Sequence, residues 1–400
     1  MNVIADGEDQ IVHTEADYGE RRGSNYLSRR AFMRLGGHAL GALTLRSSRS
    51  VAAEEPAVSP FRRYAELLEM LKQRGHRPRV LGHAPDRSPH VVIRAGADKK
   101  PAIFISAGSH STEHAGVRAT VELLEQIKTK HQVYVYPCRD PIGLNGFNYA
   151  LSLALGEEPT TRSVEEAETL LRKQGDVLYD EAGTLLAIIG EHGYANQGLL
   201  GRFKKGAKVL EPLLGRRIYY LTRSKGMPGA GPLERAYTLI VTPDGEVLHL
   251  NRFHDTLWAP IEVRCARRLM AEIQPGLTFD LHEYGGDANW LSTSRQRTEQ
   301  DDVWEQRMAM EAIRTVSPSG GKLALDNYSP GAVFSKLERG VYELDATKRG
   351  EGFNFVDFAA SKYGPGFTIE TGMRQLFEQR VRISQRIVKT AVKVFDERYA

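Results

Sequence analysis

Residues 102–136 read AIFISAGSHSTEHAGVRATVELLEQIKTKHQVYVY, and this stretch decides the fold. The short apolar run Ala102–Ile105 ends at a Gly-bearing turn, as a buried strand does. Apolar residues then recur at helical spacing from His114 to Lys130, and Val133–Tyr136 returns to a strand pattern. Strand, helix and strand with short connections form a βαβ unit. This predicts an α/β fold, a mostly parallel mixed sheet with helices on both faces.

Similar patterns extend on both sides of this unit. Helices are predicted at Ser59–Gly75 and Phe377–Phe395, and strands at Arg79–Leu81, His90–Ile93, Thr238–Val241, Leu277–Leu281 and Gly366–Ile369. Residues from about 151 to 232 break the rhythm with acidic helix-like runs and Gly-rich joints. We predict one domain over 54–400 with an insertion at about 151–232.

Composition excludes several classes of protein. Of 400 residues, 41% are hydrophobic and 26% charged, as in soluble globular proteins. The net charge is only +4, from 54 basic and 50 acidic residues, so no nucleic-acid partner is expected. The two cysteines, Cys138 and Cys265, form no CxxC motif, so any metal site must use histidine and carboxylate ligands.

The first 53 residues contain a candidate export signal. Ser28–Leu35 reads SRRAFMRL and resembles the twin-arginine export signal. The apolar run Leu35–Leu45 is too short to span a bilayer, so no stable membrane anchor is expected. Small residues at Ser50–Ala53 suit cleavage. The resemblance implies that the twin-arginine translocase is a partner and that the bacterial periplasm or the exterior is the destination. The alternative is an ordinary basic arm.

Candidate metal ligands follow the first strand of the βαβ unit. His110 and Glu113 are three residues apart at the opening of a helix, so an imidazole and a carboxylate can converge. Zinc takes such ligands, and a catalytic zinc needs three of them. The alternative is a surface histidine with a helix-capping glutamate.

Two further strands end in ionisable residues. Leu277–Leu281 leads directly into His282, and Phe367–Ile369 leads into Glu370. Open α/β sheets build their sites at the carboxyl ends of strands, which favours a common site for these side chains.

The blocks HxxE, Leu250–Phe253, Phe279–His282 and Phe367–Glu370 occur in the order of the zinc metallocarboxypeptidases, which this chain resembles. It also resembles their relatives, the succinylglutamate desuccinylases and aspartoacylases. The resemblance implies Zn²⁺ bound by His110, Glu113 and His282, with Glu370 as catalytic acid and base.

The same resemblance assigns residues to the substrate. Asn251 and Arg252 match the pair that binds a substrate carboxylate, a group that a guanidinium can bind in bidentate fashion; the alternative is a polar loop. Arg235 is the predicted oxyanion-stabilising arginine, with Arg139 as its rival. No tyrosine matches the mobile tyrosine that many carboxypeptidases place about twenty residues before the catalytic glutamate.

We therefore predict a zinc hydrolase that cleaves an amide bond in a peptide or cell-wall fragment with a free carboxylate. The alternative is an N-acyl-amino-acid deacylase, whose substrate is an acyl-amino acid. A third hypothesis is a zinc-free binding module that keeps the fold.

Overall fold

A computed structural model describes residues 61–221, 231, 233–296, 298–345 and 352–400. The predicted export signal at 1–53 lies outside the described residues. No helix in these ranges is both long and apolar enough to cross a membrane.

The helices are α1 Tyr64–Gln73, α2 His114–Gln126, α3 Pro141–Asn145, α4 Phe147–Leu155, α5 Val164–Gln174, α6 Ile261–Ile273, α7 Glu299–Ile313, α8 Phe355–Lys362 and α9 Phe377–Arg398. The strands are β1 Arg79–His83, β2 Pro89–Gly96, β3 Lys99–Ala107, β4 His131–Tyr136, β5 Asp176–Glu181, β6 Thr184–Ile189, β7 His192–Ala195, β8 Arg217–Leu221, β9 Ala236–Val241, β10 Val247–His249, β11 Leu277–Tyr284, β12 Asn289–Ser294, β13 Phe334–Glu338, β14 Val341–Leu344 and β15 Gly366–Gly372.

The main sheet has the strand order β1-β2-β4-β3-β11-β15-β12-β14-β13. Its centre, β4, β3, β11 and β15, is parallel, as the βαβ pattern predicts. β1, β2, β12 and β13 each join by antiparallel pairing, and β14 runs parallel to β12. The predicted α/β class with a mixed sheet is confirmed.

Helices cover both faces of the main sheet. One apolar core lies between the sheet and α1, α2, α7 and α9, and a second lies under α6 and α8 on the opposite face. The central strands are buried on both sides, which explains why their sequences are continuous apolar runs rather than alternating ones.

A second, six-stranded sheet has the order β10-β9-β8-β7-β6-β5. The segment at 151–232 supplies α5 and β5 to β8, and the sheet continues beyond it through β9 and β10. The chain leaves β10 directly into a 3-10 turn, Leu250–Arg252. The second sheet therefore delivers the block that contains Asn251 and Arg252.

Two central strands run further than their apolar patterns indicate. β11 and β15 stay paired beyond Leu281 and Ile369, so His282 and Glu370 lie inside strands rather than after them. The cause is backbone pairing, which continues after the side chains turn polar. His282 and Glu370 are register partners on adjacent parallel strands, so their side chains lie on the same face, with strands ~4.8 Å apart.

Helix α2 packs very closely on β11 at Gly116. A Cβ atom added there would lie 2.8 Å from the backbone oxygen of Leu281. We expect Gly116→Ala to lower the free energy of unfolding by about 1–3 kcal/mol, because backbone must move to relieve the contact. Denaturant unfolding measures this loss.

Gly198→Ala is the matched control, since its Cβ would have its nearest neighbour, Tyr220, at an ordinary 3.7 Å. Equal stability of the two variants would show that α2 is not held against β11 as described.

Candidate metal centre

The loop between β3 and α2 carries the first two predicted ligands. It begins at Gly108, whose φ of +64° turns the chain out of the strand at little cost for glycine. Glu113 is the N-cap residue of α2, yet its side chain makes no capping hydrogen bond. The Ala115 amide donates instead to Glu283 Oε2, at 2.8 Å. His110 and Glu113 are both buried, so the alternative of a surface histidine and a capping glutamate is wrong.

His110, Glu113 and His282 converge at one point. His110 Nδ1 lies 2.6 Å from Glu113 Oε1, and His282 Nδ1 lies 2.7 Å from Glu113 Oε2. One potential ligand atom from each residue falls within 4.8 Å of the others. The structure thus brings the three predicted ligands together, although Glu113 and His282 are 169 residues apart.

The outward-facing nitrogens of both imidazoles are hydrogen-bonded. His282 Nε2 lies 2.8 Å from Asp280 Oδ2, which is also 2.5 Å from Arg139 Nη2. His110 Nε2 lies 2.8 Å from His249 Nδ1. Partners of this kind orient metal-binding histidines and fix which ring nitrogen faces the metal.

Burial and neighbouring charges shift the pKa values of the three predicted ligands. Burial works against ionisation of Glu113, but the two adjacent imidazoles lower its pKa to about 2. Burial likewise opposes the charged form of His282, but the carboxylates of Asp280 and Glu113 raise its pKa well above the ordinary value. Burial lowers the pKa of His110. A proton on His282 would therefore compete with a metal for this site.

Glu370 lies beside this cluster. It is the register partner of His282 on one side and of Trp290 on the other. Its Oε2 is buried and has no hydrogen-bond partner among the described residues. Burial raises the pKa of Glu370 to about 8, against the opposing effect of His282. The buried, metal-free pocket therefore disfavours the ionised form of Glu370.

Asn251 and Arg252 line the same pocket and are buried. Asn251 Oδ1 accepts from Arg139 Nη1 at 3.2 Å and from the Phe355 amide at 3.1 Å. Its Nδ2 donates to Asp280 Oδ2 at 3.1 Å and lies 3.2 Å from His282 Nε2. The Asn251 side chain therefore supports the ligand His282. Burial argues against the polar-loop alternative.

Neither predicted oxyanion arginine lines the pocket. Arg235 donates to the backbone oxygens of Leu144, at 3.0 Å, and Glu234, at 2.6 Å. It directly precedes β9, and its Nη2 lies 3.4 Å from His114 Nδ1. Arg139 is paired with Asp280 behind His282. The oxyanion role of Arg235 stays a prediction: its guanidinium contacts residues next to the site, and it does not line the pocket described.

The rest of the pocket includes residues that the sequence did not point to. One wall is aromatic, with Tyr284, Trp290, Tyr328 and Phe334. Tyr284 and Tyr328 are the pocket's tyrosines among the described residues; the stretch searched for a mobile tyrosine overlaps 346–351, which lie outside them.

The sequence analysis also missed His249 and Asp280, and of these two Asp280 had a signal in the sequence. Asp280 precedes His282 by two residues, which puts both on one face of the strand.

No protein-family model and no curated protein matches the sequence. Several solved structures are similar to this chain in structure, at low sequence identity. A candidate metallopeptidase from Shewanella amazonensis has 15% identity, covering 82% of this chain and 91% of its own, with a TM-score of 0.44. A metallo-carboxypeptidase from Burkholderia cenocepacia has 10% identity, covering 84% of this chain and 70% of its own, with a TM-score of 0.45. Carboxypeptidase A from Helicoverpa armigera has 11% identity, covering 84% of this chain and 73% of its own, with a TM-score of 0.43.

We expect the purified protein to bind about one Zn²⁺ per chain, since two imidazoles and a carboxylate suit this metal. His110→Gln and His282→Gln should each lose most of the metal, measured by elemental analysis after dialysis. Affinity should rise with pH until His282 has lost its proton, because below that point the proton competes with the metal.

His192→Gln, in the second sheet, is the control and should keep its zinc. Full zinc retention by both ligand variants would overturn the assignment.

Proposed function

We propose that this protein is a zinc-dependent amide hydrolase of the carboxypeptidase type, acting on a peptide or cell-wall fragment with a free carboxylate. The observation that carries the proposal is the convergence of His110, Glu113 and His282 beside Glu370. The pocket they form also contains Arg252. A metal site, an ionisable carboxylate and a cation in one pocket are the minimal apparatus for this reaction.

The residues present fit zinc. His110 and His282 would bind it through Nδ1 and Glu113 through its carboxylate, with both Nε2 atoms already held by His249 and Asp280. Bound there, Zn²⁺ would supply a Lewis acid that polarises a substrate carbonyl and activates water.

Glu370 supplies the proton transfer. Its Oε2 has no hydrogen-bond partner among the described residues, so this oxygen can take a proton from water and return it to the leaving nitrogen. The carboxylate form is required for the first step. The positive charge of a metal among the adjacent ligands would lower the pKa of Glu370 from its metal-free value of about 8.

Arg252 supplies the carboxylate contact. Its side chain is buried, lines the pocket and donates to the Asn251 backbone oxygen at 3.2 Å. A guanidinium presents its donors in a planar fork that matches the geometry of a carboxylate, which suits this side chain to an anionic group.

A second function is favoured by the size of the pocket. Its volume is about 80 Å³, whereas clefts for drug-sized ligands hold roughly 300–1,000 Å³. This favours a small substrate such as an N-acyl amino acid. Comparing kcat/KM for an N-acyl amino acid and a tripeptide, both with free carboxylates, separates the deacylase from the peptidase.

We also propose that the chain is exported through the twin-arginine route to the periplasm or the exterior. The support is the motif at Ser28–Leu35. Because that route carries folded proteins, the metal would be bound before export.

Glu370→Gln should keep zinc and fold but lower kcat by at least about 10², the usual effect of removing a general acid and base. Glutamine preserves the shape without the basic oxygen. Steady-state kinetics on the zinc-loaded enzyme measures the loss. The matched control is Glu305→Gln, another buried carboxylate whose pKa is raised by burial but which binds Gln296 and the Gly366 amide outside the pocket. Near-native kcat in Glu370→Gln would place the base elsewhere.

Arg252→Ala should leave zinc binding intact and lower kcat/KM mainly for substrates with a free carboxylate, because the lost contact positions the substrate. The measurement compares a substrate with its carboxyl-amidated twin. Native enzyme should prefer the free acid strongly, and the variant only weakly. Arg264→Ala, exposed on α6, is the control and should behave as native. Equal discrimination by Arg252→Ala and native enzyme would rule out the carboxylate role.

A further inference from the structure

We propose that His249 is a positioning residue: it holds His110 in the tautomer that leaves Nδ1 available to the metal, and it carries its own proton on Nε2. The inference rests on the proposed zinc site and adds a residue to it.

His249 is the last residue of β10 in the second sheet, and it is buried at the wall of the pocket. Its Nδ1 lies 2.8 Å from His110 Nε2. The ring centroids are 4.7 Å apart and the planes cross at 64°. The short distance between the two nitrogens identifies a hydrogen bond rather than a ring stack.

The direction of this hydrogen bond follows from the other side of His110. A nitrogen that binds a metal cannot carry a proton, and His110 Nδ1 is the atom directed at Glu113. The single proton of the neutral ring is then on Nε2, which donates to His249. His249 Nδ1 must accept, so a neutral His249 has its proton on Nε2. With a metal on His110 Nδ1, the protons of the two neutral rings therefore lie on Nε2 of His110 and Nε2 of His249.

The ring stack of Tyr237 on His110 does not fix the tautomer. Tyr237 stacks on its ring, with centroids 4.8 Å apart and planes 20° from parallel. A stacked ring restricts tilt but is indifferent to which nitrogen carries the proton. The contact with His249, by contrast, presents an acceptor to Nε2.

The two histidine ligands are thus supported unequally. His282 is backed by the carboxylate of Asp280, and that charge is offset by Arg139. His110 is backed by an imidazole. Loss of an outer partner of this kind typically costs roughly 10–100-fold in metal affinity, which sets the size of the expected effect.

The experiment uses the full protein and three variants. His249→Asn keeps an acceptor close to the place of Nδ1, His249→Gln moves it outward to the place of Nε2, and His249→Leu removes it at similar volume. Zinc dissociation constants come from competition with a chelator. Nitrogen-15 shifts of the histidine rings in the zinc-loaded protein show which nitrogen carries the proton.

We expect His249→Leu and His249→Gln to bind zinc about 10–100-fold more weakly than native protein, and His249→Asn to stay within about threefold of it. The native His249 ring should show its proton on Nε2. If His249→Leu does not fold, His249→Gln against His249→Asn decides the matter, since both side chains are polar amides.

Equal zinc affinity of native protein and all folded variants would overturn the inference, as would a proton on Nδ1 of His249. These failures are distinct from failure of the zinc site. If native protein and His282→Gln bind zinc equally weakly, the proposed function falls, and this inference with it.

Discussion

The Glu113 carboxylate between two imidazoles is the interaction on which the site depends. A buried carboxylate is costly unless charged or polar partners surround it. Here His110 and His282 each occupy one oxygen. That arrangement requires β3 and β11 to be adjacent. The parallel register of β11 and β15 then places Glu370 directly beside His282. The backbone pairing of the sheet therefore sets the chemistry of the pocket.

Behind the ligands, polar groups are buried in one hydrogen-bonded cluster. Asp280 is shared by Arg139, Asn251 and His282, so one carboxylate orients a metal ligand while a guanidinium balances its charge. Removing Asp280 or Arg139 alone would leave an uncompensated charge in the interior, which typically costs about 3–5 kcal/mol. Such a cluster is rigid because no member can move without breaking several hydrogen bonds.

Much of the fold and the centre of the site could be predicted from local patterns. The βαβ stretch gave the parallel centre of the sheet, and His110, Glu113, His282 and Glu370 lie where apolar strand patterns end. The role of Arg235 could not be judged from spacing along the chain, which does not show where a guanidinium lies relative to the pocket. His249 was missed because its place at the site depends on how the second sheet meets the first, which no local pattern records.

The groups of this site come from distant parts of the chain: His110 and His249 are 139 residues apart, and Glu113 and His282 are 169 apart. Closing such loops carries an entropic cost that only the finished fold repays. An unfolded chain therefore offers a metal at most the local pair His110 and Glu113, whereas the native chain offers all the ligands together. A metal held by these groups would bind almost only the native state, so its free concentration would set how much it raises the melting temperature.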